Sequence, residues 1–316
     1  MTTDADCAIG LDVGGTNIRG GVVRPDGVIV DADRVPTPAD APSRLEAMVA
    51  MVRRLGARNA IGAVPVGVGA AGLVDLDGVV RYSPNLDWRD APVRARLASA
   101  LGVPVRVEND AAAAAWGEYR TGGGRHATGG ALMLTIGTGV GGGLVVDDRL
   151  VRGASGIGGE FGHIIVTEGG PRCPCGNHGC LEAVASGSAI GRLGRDAVAG
   201  WGARDSLLSG AETVTGAVVT DAARQGDPLA RQVLAEAGTW LGVGIASLVN
   251  ALDPEIVIIG GGALDAGDLL LDPAVEAYHA RVIAGDHRDL PPVVRAELGD
   301  DAGLIGAALL ACDAGR

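Results

Sequence analysis

Lysine is absent from this chain: all 26 basic residues among its 316 are arginine. That absence excludes enzymes whose chemistry needs a particular lysine, namely P-loop NTPases, protein kinases of the usual kind and Schiff-base enzymes. Phosphate handled by such a chain must meet backbone amides, arginine, hydroxyls or a metal ion. Aromatics are scarce, with one Phe, three Tyr and four Trp, so the 47 % apolar content is mostly aliphatic. No apolar run reaches the ~20 residues of a membrane span, and the opening MTTDADC carries no signal-peptide pattern. These absences predict a cytoplasmic protein with no membrane partner. Basic charge is also in deficit: the formal net charge of −12 argues against a nucleic-acid partner.

Glycine is in excess instead, 53 residues against a typical ~7 %. Its position at the ends of β-branched runs fits tight turns and close backbone approach to a ligand. Apolar periodicity predicts strands over 7–13, 18–23, 63–69, 103–108, 132–136, 143–146 and 255–259. Helices are predicted over 43–55, 90–101, 111–120, 183–198, 213–225 and 228–251, with two further helical stretches before the C-terminus. This alternation implies an α/β architecture. At 316 residues the chain is long enough for two domains, since single cores stop growing near ~250–300 residues.

A weak internal repeat supports the same division. Residues 11–23, LDVGGTNIRGGVV, and 134–146, LTIGTGVGGGLVV, both read as strand, glycine turn and strand. They match at Leu, at Val/Ile, at the first Gly and at the closing Val-Val. Two such units predict two similar domains facing a cleft, each turn offering backbone N–H groups to phosphate. A third glycine turn, Gly260-Gly261-Gly262, follows a buried strand.

Asp12-Val13-Gly14-Gly15-Thr16 together with Gly137-Thr138-Gly139 resembles the phosphate signature of the actin-like ATPase superfamily. The stretch GASGIGGEFGHI over 153–164, followed by CPCGNHGCLE, is similar to the hallmark of the ROK family (repressors, open reading frames and kinases). Within it the chain looks most like the actinobacterial-type glucokinases, through Asn85-Leu86-Asp87-Trp88, Glu108-Asn109-Asp110 and Trp116-Gly117-Glu118-Tyr119-Arg120. The resemblance implies a two-domain actin-like ATPase (ribonuclease H-like) fold with an interdomain cleft. It divides the chain into residues 1–115, with a C-terminal helix over 301–316 packing back, and a larger domain over 116–300. The implied activity is ATP-dependent phosphorylation of a hexose, glucose first. A kinase for glucosamine, kanosamine or N-acetylmannosamine, or a sugar-binding sensor without catalysis, are the alternatives. A homo-oligomer, dimer or tetramer, is implied as well.

Residue by residue, the resemblance makes Asp110 the catalytic base, with Asn85, Asn109, Glu160, His163 and Glu182 on the sugar. Taken alone, Asn109-Asp110 at a strand–helix junction reads as a helix cap. Asp12 would hold Mg²⁺ of MgATP, a hard ion that prefers oxygen ligands. Gly14, Gly15, Thr16, Thr138 and Gly139 would hold the phosphates, and Gly261 and Gly262 would lie near the nucleoside. Many family kinases carry Lys after the first GGT, where this chain has Asn17. After the last loop cysteine many carry an aromatic pair, where Leu181-Glu182-Ala183-Val184 stands here.

The cysteines supply the most specific local pattern. His163, Cys173, Cys175 and Cys180 follow H-x9-C-x-C-x4-C, and three thiolates with one imidazole make a closed, structural zinc site. His178 lies inside the same loop and competes as fourth ligand; the family pattern favours His163. Closing the loop over 163–180 would draw Glu160 and Glu182 together, with metal-binding energy holding them. The repressors of the family place a winged helix-turn-helix before the first glycine hairpin. Here that hairpin begins by residue 9, which predicts a kinase rather than a DNA-binding protein.

Overall fold

The computed structural model describes residues 7–200 and 205–313. The described residues fall into two compact units, one within 1–131, 143–159 and 296–316, the other within 132–142 and 160–295.

The first unit runs β1 (Ala8–Val13), β2 (Asn17–Val23), β3 (Ile29–Pro36), α1 (Ala41–Arg58), β4 (Val66–Ala70), β5 (Leu73–Val74), β6 (Val80–Ser83), β7 (Trp88–Ala91), α2 (Val93–Leu101), β8 (Val105–Asn109) and α3 (Asp110–Thr121). Its five-stranded sheet has the order β3-β2-β1-β4-β8. The central strand β1, AIGLDV, is buried almost throughout, as expected where helices cover both faces of a sheet. Against it pack Met48, Met51, Val52 and Leu55 of α1, whose first turn is capped by Asp40 accepting from the Ser43 amide at 2.9 Å. Parallel pairing sets Asp12 opposite Gly69, and Gly69 opposite Glu108. The carboxyl ends of β1, β4 and β8 therefore lie side by side, the edge where open α/β sheets bind ligands.

A second sheet, of order β11-β10-β9-β12-β13 and built from β9 (Ala131–Ile136), β10 (Val140–Val146), β11 (Arg149–Leu150), β12 (Ile256–Gly260) and β13 (Val293–Arg295), supplies β12, β13, most of β9 and the start of β10 to the second unit. Its helices are α4 (Leu181–Ala185), α5 (Gly187–Ala199), α6 (Gly216–Arg224), α7 (Pro228–Leu252) and α8 (Asp268–His279). Helix α7 is the one described helix long and apolar enough to cross a membrane. It is instead a core helix: Gly238 and Gly242 let it approach the α8 carbonyls of Leu270 and Ala274 too closely for any Cβ.

The chain ends in α9 (Ala302–Asp313), which belongs to the first unit. Residues 314–316 of the helix expected over 301–316 lie outside the described residues. Its approach is fixed by Glu118 of α3, a fully buried carboxylate that accepts from the amides of Gly123 (2.8 Å), Glu297 (3.0 Å) and Leu298 (2.7 Å). Gly306 then passes so near Ala113 that a side chain there would overlap the Ala113 carbonyl.

Several elements differ from the sequence reading. Strand β3 and the three-stranded sheet β5-β6-β7 were not anticipated, because β3, β6 and β7 have charged sequences without a buried apolar run and β5 is only the two residues Leu73–Val74. The helix read over 90–101 starts only at Val93, since Asp90 adopts a left-handed backbone (φ 48°) and belongs to β7. The helix read over 183–198 is two helices broken at Ser186, whose hydroxyl caps α5 through the Ala189 amide at 3.1 Å.

Candidate functional site

In the first unit the expected residues gather at the carboxyl edge of the sheet. Asp12, next to last in β1, lies beside Gly303, the second residue of α9, where an added Cβ would stand 3.6 Å from the Asp12 carboxylate. The same Cβ would lie 3.8 Å from the Asp110 carbonyl, so Gly303 adjoins both acids. Burial lifts the Asp12 pKa from 3.8 to about 6. The Asp110 charge adds to that rise, Asp300 and Asp301 reinforce it, and Arg19 opposes it. Arg19 is the cross-strand partner of Asp12 and is itself ion-paired to Asp301. Asp110 is likewise raised by burial, partly offset by the amide of Ala111 bonding to Oδ1 at 2.9 Å.

The cap of α3 is Asn109, which takes the Ala112 amide on Oδ1 at 2.9 Å and donates Nδ2 to the Gly72 carbonyl at 3.1 Å. One Nδ2 proton and one Oδ1 lone pair stay available by the donor count of an amide. Glu108, buried at 2 % exposure, receives the Asn109 amide at 3.1 Å and pairs with Arg152 Nε at 2.7 Å. Desolvation raises the Glu108 pKa, and the Arg152 charge pulls it back. This ion pair fixes the backbone immediately before Asp110, and sequence reasoning missed it. Glu108 stood in the motif, but nothing in the sequence marked a partner 44 positions away.

The turn Gly14-Gly15-Thr16 has its carbonyls bound inward: the Thr37 amide donates to Thr16 O (2.9 Å), and the Thr37 hydroxyl to Gly14 O (2.6 Å). The Gly14 amide closes the turn on Asn17 O at 3.1 Å, so the amides that such a turn can offer an anion are those of Gly15 and Thr16. Asn85 packs directly on it, its backbone oxygen 3.3 Å from where a Gly15 Cβ would be. The second turn repeats the device. The Gly187 amide donates to Gly137 O at 2.8 Å and the Ser188 amide to Thr138 O at 3.4 Å, both from the start of α5. Thr37, Gly187 and Ser188 were not foreseen, since their contribution is backbone direction.

Gly137, Thr138 and Gly262 line one pocket of about 650 Å³ in the second unit, together with Ser188, Arg195 and Thr215. Arg195 is held by donating to Val214 O at 2.6 Å. Gly261 enters this region with φ 91°, its Cα so close over Ile136 that a Cβ would sit 2.5 Å from the carbonyl oxygen. Only glycine satisfies both demands.

The cysteine loop forms a compact donor set. One ligand atom each from His163, Cys173, Cys175 and Cys180 lies within 4.8 Å of all the others. Cys175 Sγ and Cys180 Sγ are 3.7 Å apart, and Cys173 Sγ is 3.6 Å from His163 Nδ1. A tetrahedral zinc with its usual bond lengths has S···S edges of about 3.8 Å and S···N edges of about 3.6 Å. The four residues therefore fit zinc. His178 is exposed, its backbone is bridged to that of Arg172, and it is outside this group. Cys7 is packed in the first unit's core. Glu160 faces the other imidazole nitrogen, Oε2 to Nε2 at 3.9 Å. Glu182, at the start of α4, accepts from the Val140 amide at 3.0 Å, and its second oxygen lies 3.6 Å from Cys173 Sγ. It thus joins the cysteine loop to the glycine turn over 137–139.

Comparison with known proteins places this arrangement. The profile of the ROK family matches residues 8–314. The chain belongs to the ROK family. It is 41 % identical over 310 residues to a glucokinase of Streptomyces coelicolor, covering 96 % of each chain. It is 34 % identical over 308 residues to an N-acetylmannosamine kinase of Escherichia coli, covering 96 % of this chain and 97 % of the relative. Among solved structures, the ROK glucokinase of Streptomyces griseus, crystallised with glucose and AMPPNP, superposes with a TM-score of 0.84 at 40 % identity, covering 97 % and 99 % of the two chains. The α/β fold is that of the ROK sugar kinases, an actin-like ATPase fold.

Proposed function

We propose that this ROK protein is an ATP-dependent hexose kinase that phosphorylates the 6-hydroxyl of glucose. The observation that supports this most directly is the pairing of Asp12 and Asp110 beside a glycine turn whose carbonyls are tied down behind it. In phosphoryl transfer the protein positions the reactants and stabilises charge on a loose transition state. Asp110 orients the attacking hydroxyl and takes its proton late, as the bond from the sugar oxygen to the γ-phosphorus forms and the β–γ bridge bond breaks.

The remaining roles follow the chemistry of each group. Mg²⁺, held by Asp12 and phosphate oxygens, would neutralise charge on the triphosphate. The turns Gly14-Gly15-Thr16 and Gly137-Thr138-Gly139 take the phosphates, and the pocket lined by Gly262 takes the nucleoside. Asn85, Asn109, Glu160, His163 and Glu182 hold sugar hydroxyls. Zinc on His163, Cys173, Cys175 and Cys180 is a scaffold, since a closed four-ligand site leaves no position for substrate.

Glucose is favoured over an amino sugar because the departure after Cys180 lies in the packing. Leu181 and Val184 are buried, and Leu181 fits the gap left by Gly244 of α7. The aliphatic residues there serve the core of the second unit. A coupled assay with MgATP over a panel of hexoses and amino sugars tests the reading, with glucose expected to give the highest kcat/KM. Absence of turnover with every sugar would sink the kinase assignment.

A further inference from the structure

Arg44, in the first turn of α1, is one of the few charged side chains the core encloses, at 4 % exposure. Its hydrogen-bond acceptors are main-chain carbonyls: Nε donates to Pro38 O at 2.7 Å, and the terminal nitrogens donate to Ala39 O and Leu86 O. The guanidinium also stands over the Trp88 ring, 5.7 Å from its centroid. A guanidinium stays charged at all working pH values, so its burial is costly unless its donors are all used. Such a cost needs a compensating role.

The position of those carbonyls supplies one. Pro38 and Ala39 follow Thr37, the residue that binds the backs of Gly14 and Thr16. Leu86 follows Asn85, whose backbone rests on Gly15. One rigid planar fork therefore joins the segment behind the phosphate turn to the turn that carries Asn85. We infer that Arg44 is a positioning residue for sugar binding, a buried strut that fixes Asn85 relative to the Gly14-Gly15-Thr16 turn. The inference rests on the proposed sugar contact of Asn85 and goes beyond it by naming what holds that residue in place.

The two ends of the strut are not equally dependent on it. Segment 37–39 keeps both Thr37 hydrogen bonds when the guanidinium is removed, so the phosphate turn stays anchored. The turn bearing the exposed Asn85 keeps its buried Leu86 side chain but loses the donor that holds Leu86 O. Loss of Arg44 should therefore weaken glucose far more than ATP.

The test is a double-mutant cycle on the full-length protein, with glucose and MgATP varied separately. Asn85→Ala is expected to raise the glucose KM about tenfold, the usual effect of deleting one hydrogen bond to a bound hydroxyl. Arg44→Met should raise it by roughly five- to tenfold, with kcat and the ATP KM within about threefold of the parent. The double variant should match Asn85→Ala alone, because a strut has no effect on a side chain already removed. Multiplication of the two single effects overturns the inference while leaving the sugar role of Asn85 intact. A silent Asn85→Ala overturns that role and the inference with it. If Arg44→Met fails to fold, Arg44→Lys runs the same cycle, since its single ammonium keeps the charge but loses the fork. Its glucose KM is expected between those of the parent and the Asn85 variant, and an equal rise in the glucose and ATP KM values would overturn the inference.

Discussion

Glu182 takes the amide of Val140 on one oxygen at 3.0 Å and sets the other 3.6 Å from Cys173 Sγ. The cysteine loop and the second glycine turn thus share one carboxylate, and metal binding at the loop is expected to reach that turn through it. The purified protein should hold one zinc per chain by metal analysis. A Cys175→Ser, Cys180→Ser double variant should lose the metal and lower kcat/KM by at least the roughly 10- to 100-fold that loss of a single outer-shell partner costs. Full zinc retention in that variant would show the ligand set to be wrong.

Asp110 carries the largest expected effect on turnover. Asp110→Ala should reduce kcat by several hundred-fold or more, within the roughly 10²–10⁴-fold range of a positioned general base. The glucose KM should change little, because the helix cap that orders this backbone belongs to Asn109. A drop confined to KM would remove Asp110 from the chemistry.

Asp12 links function to stability, with the opposite sign. Its folded pKa of about 6 lies above the ordinary 3.8, so the folded state holds the proton more tightly than the unfolded chain. The stability that this gives is complete below about pH 4. It falls away as pH rises to about 6, and then stays lower by roughly 3 kcal/mol. Asp12→Asn removes that penalty. In metal-free buffer at pH 7.5 the variant should melt several degrees above the parent, the two should converge near pH 4, and activity should be lost. A variant less stable than the parent at neutral pH would show that Asp12 is not held at a desolvation cost.

Much of this was legible in the sequence, for a physical reason. Glycine turns, metal-ligand spacing and buried β-branched runs are local signals, so the turns at 14–16 and 137–139 and the Cys173–Cys180 loop announce themselves within a few residues. Asp110, by contrast, reads locally as a helix cap and is singled out only by the family resemblance. What stayed hidden depends on partners distant in sequence or on backbone direction alone. Arg152 reaches Glu108, Thr37 binds the back of Gly14, and Gly187 binds the back of Gly137. The strands β3, β6 and β7 were lost because exposed charged residues carry their period. Asp90 in particular reads as a helix start until its left-handed backbone is seen.

Two glycine-to-alanine changes should move stability in opposite directions, because the same residue type serves opposite ends. Gly306 of α9 faces the Ala113 carbonyl with no room for a methyl group, and the Gly117 amide also stands 2.9 Å from the added carbon. Both neighbours are backbone, so neither can turn aside. Overpacking of this kind typically costs about 1–3 kcal/mol. By pushing α9 away from α3, which begins at Asp110, it should lower kcat as well. Gly56 lies in α1, where the nearest atom to an added Cβ is Ile61 O at 3.8 Å. Alanine fits there without strain, and its better helix propensity should add roughly 0.5–1 kcal/mol. Denaturant unfolding of the two variants checks both signs, with activity expected to fall only in Gly306→Ala. Equal stability of the Gly306 variant and the parent would mean that the α3–α9 crossing is looser than its backbone contacts indicate.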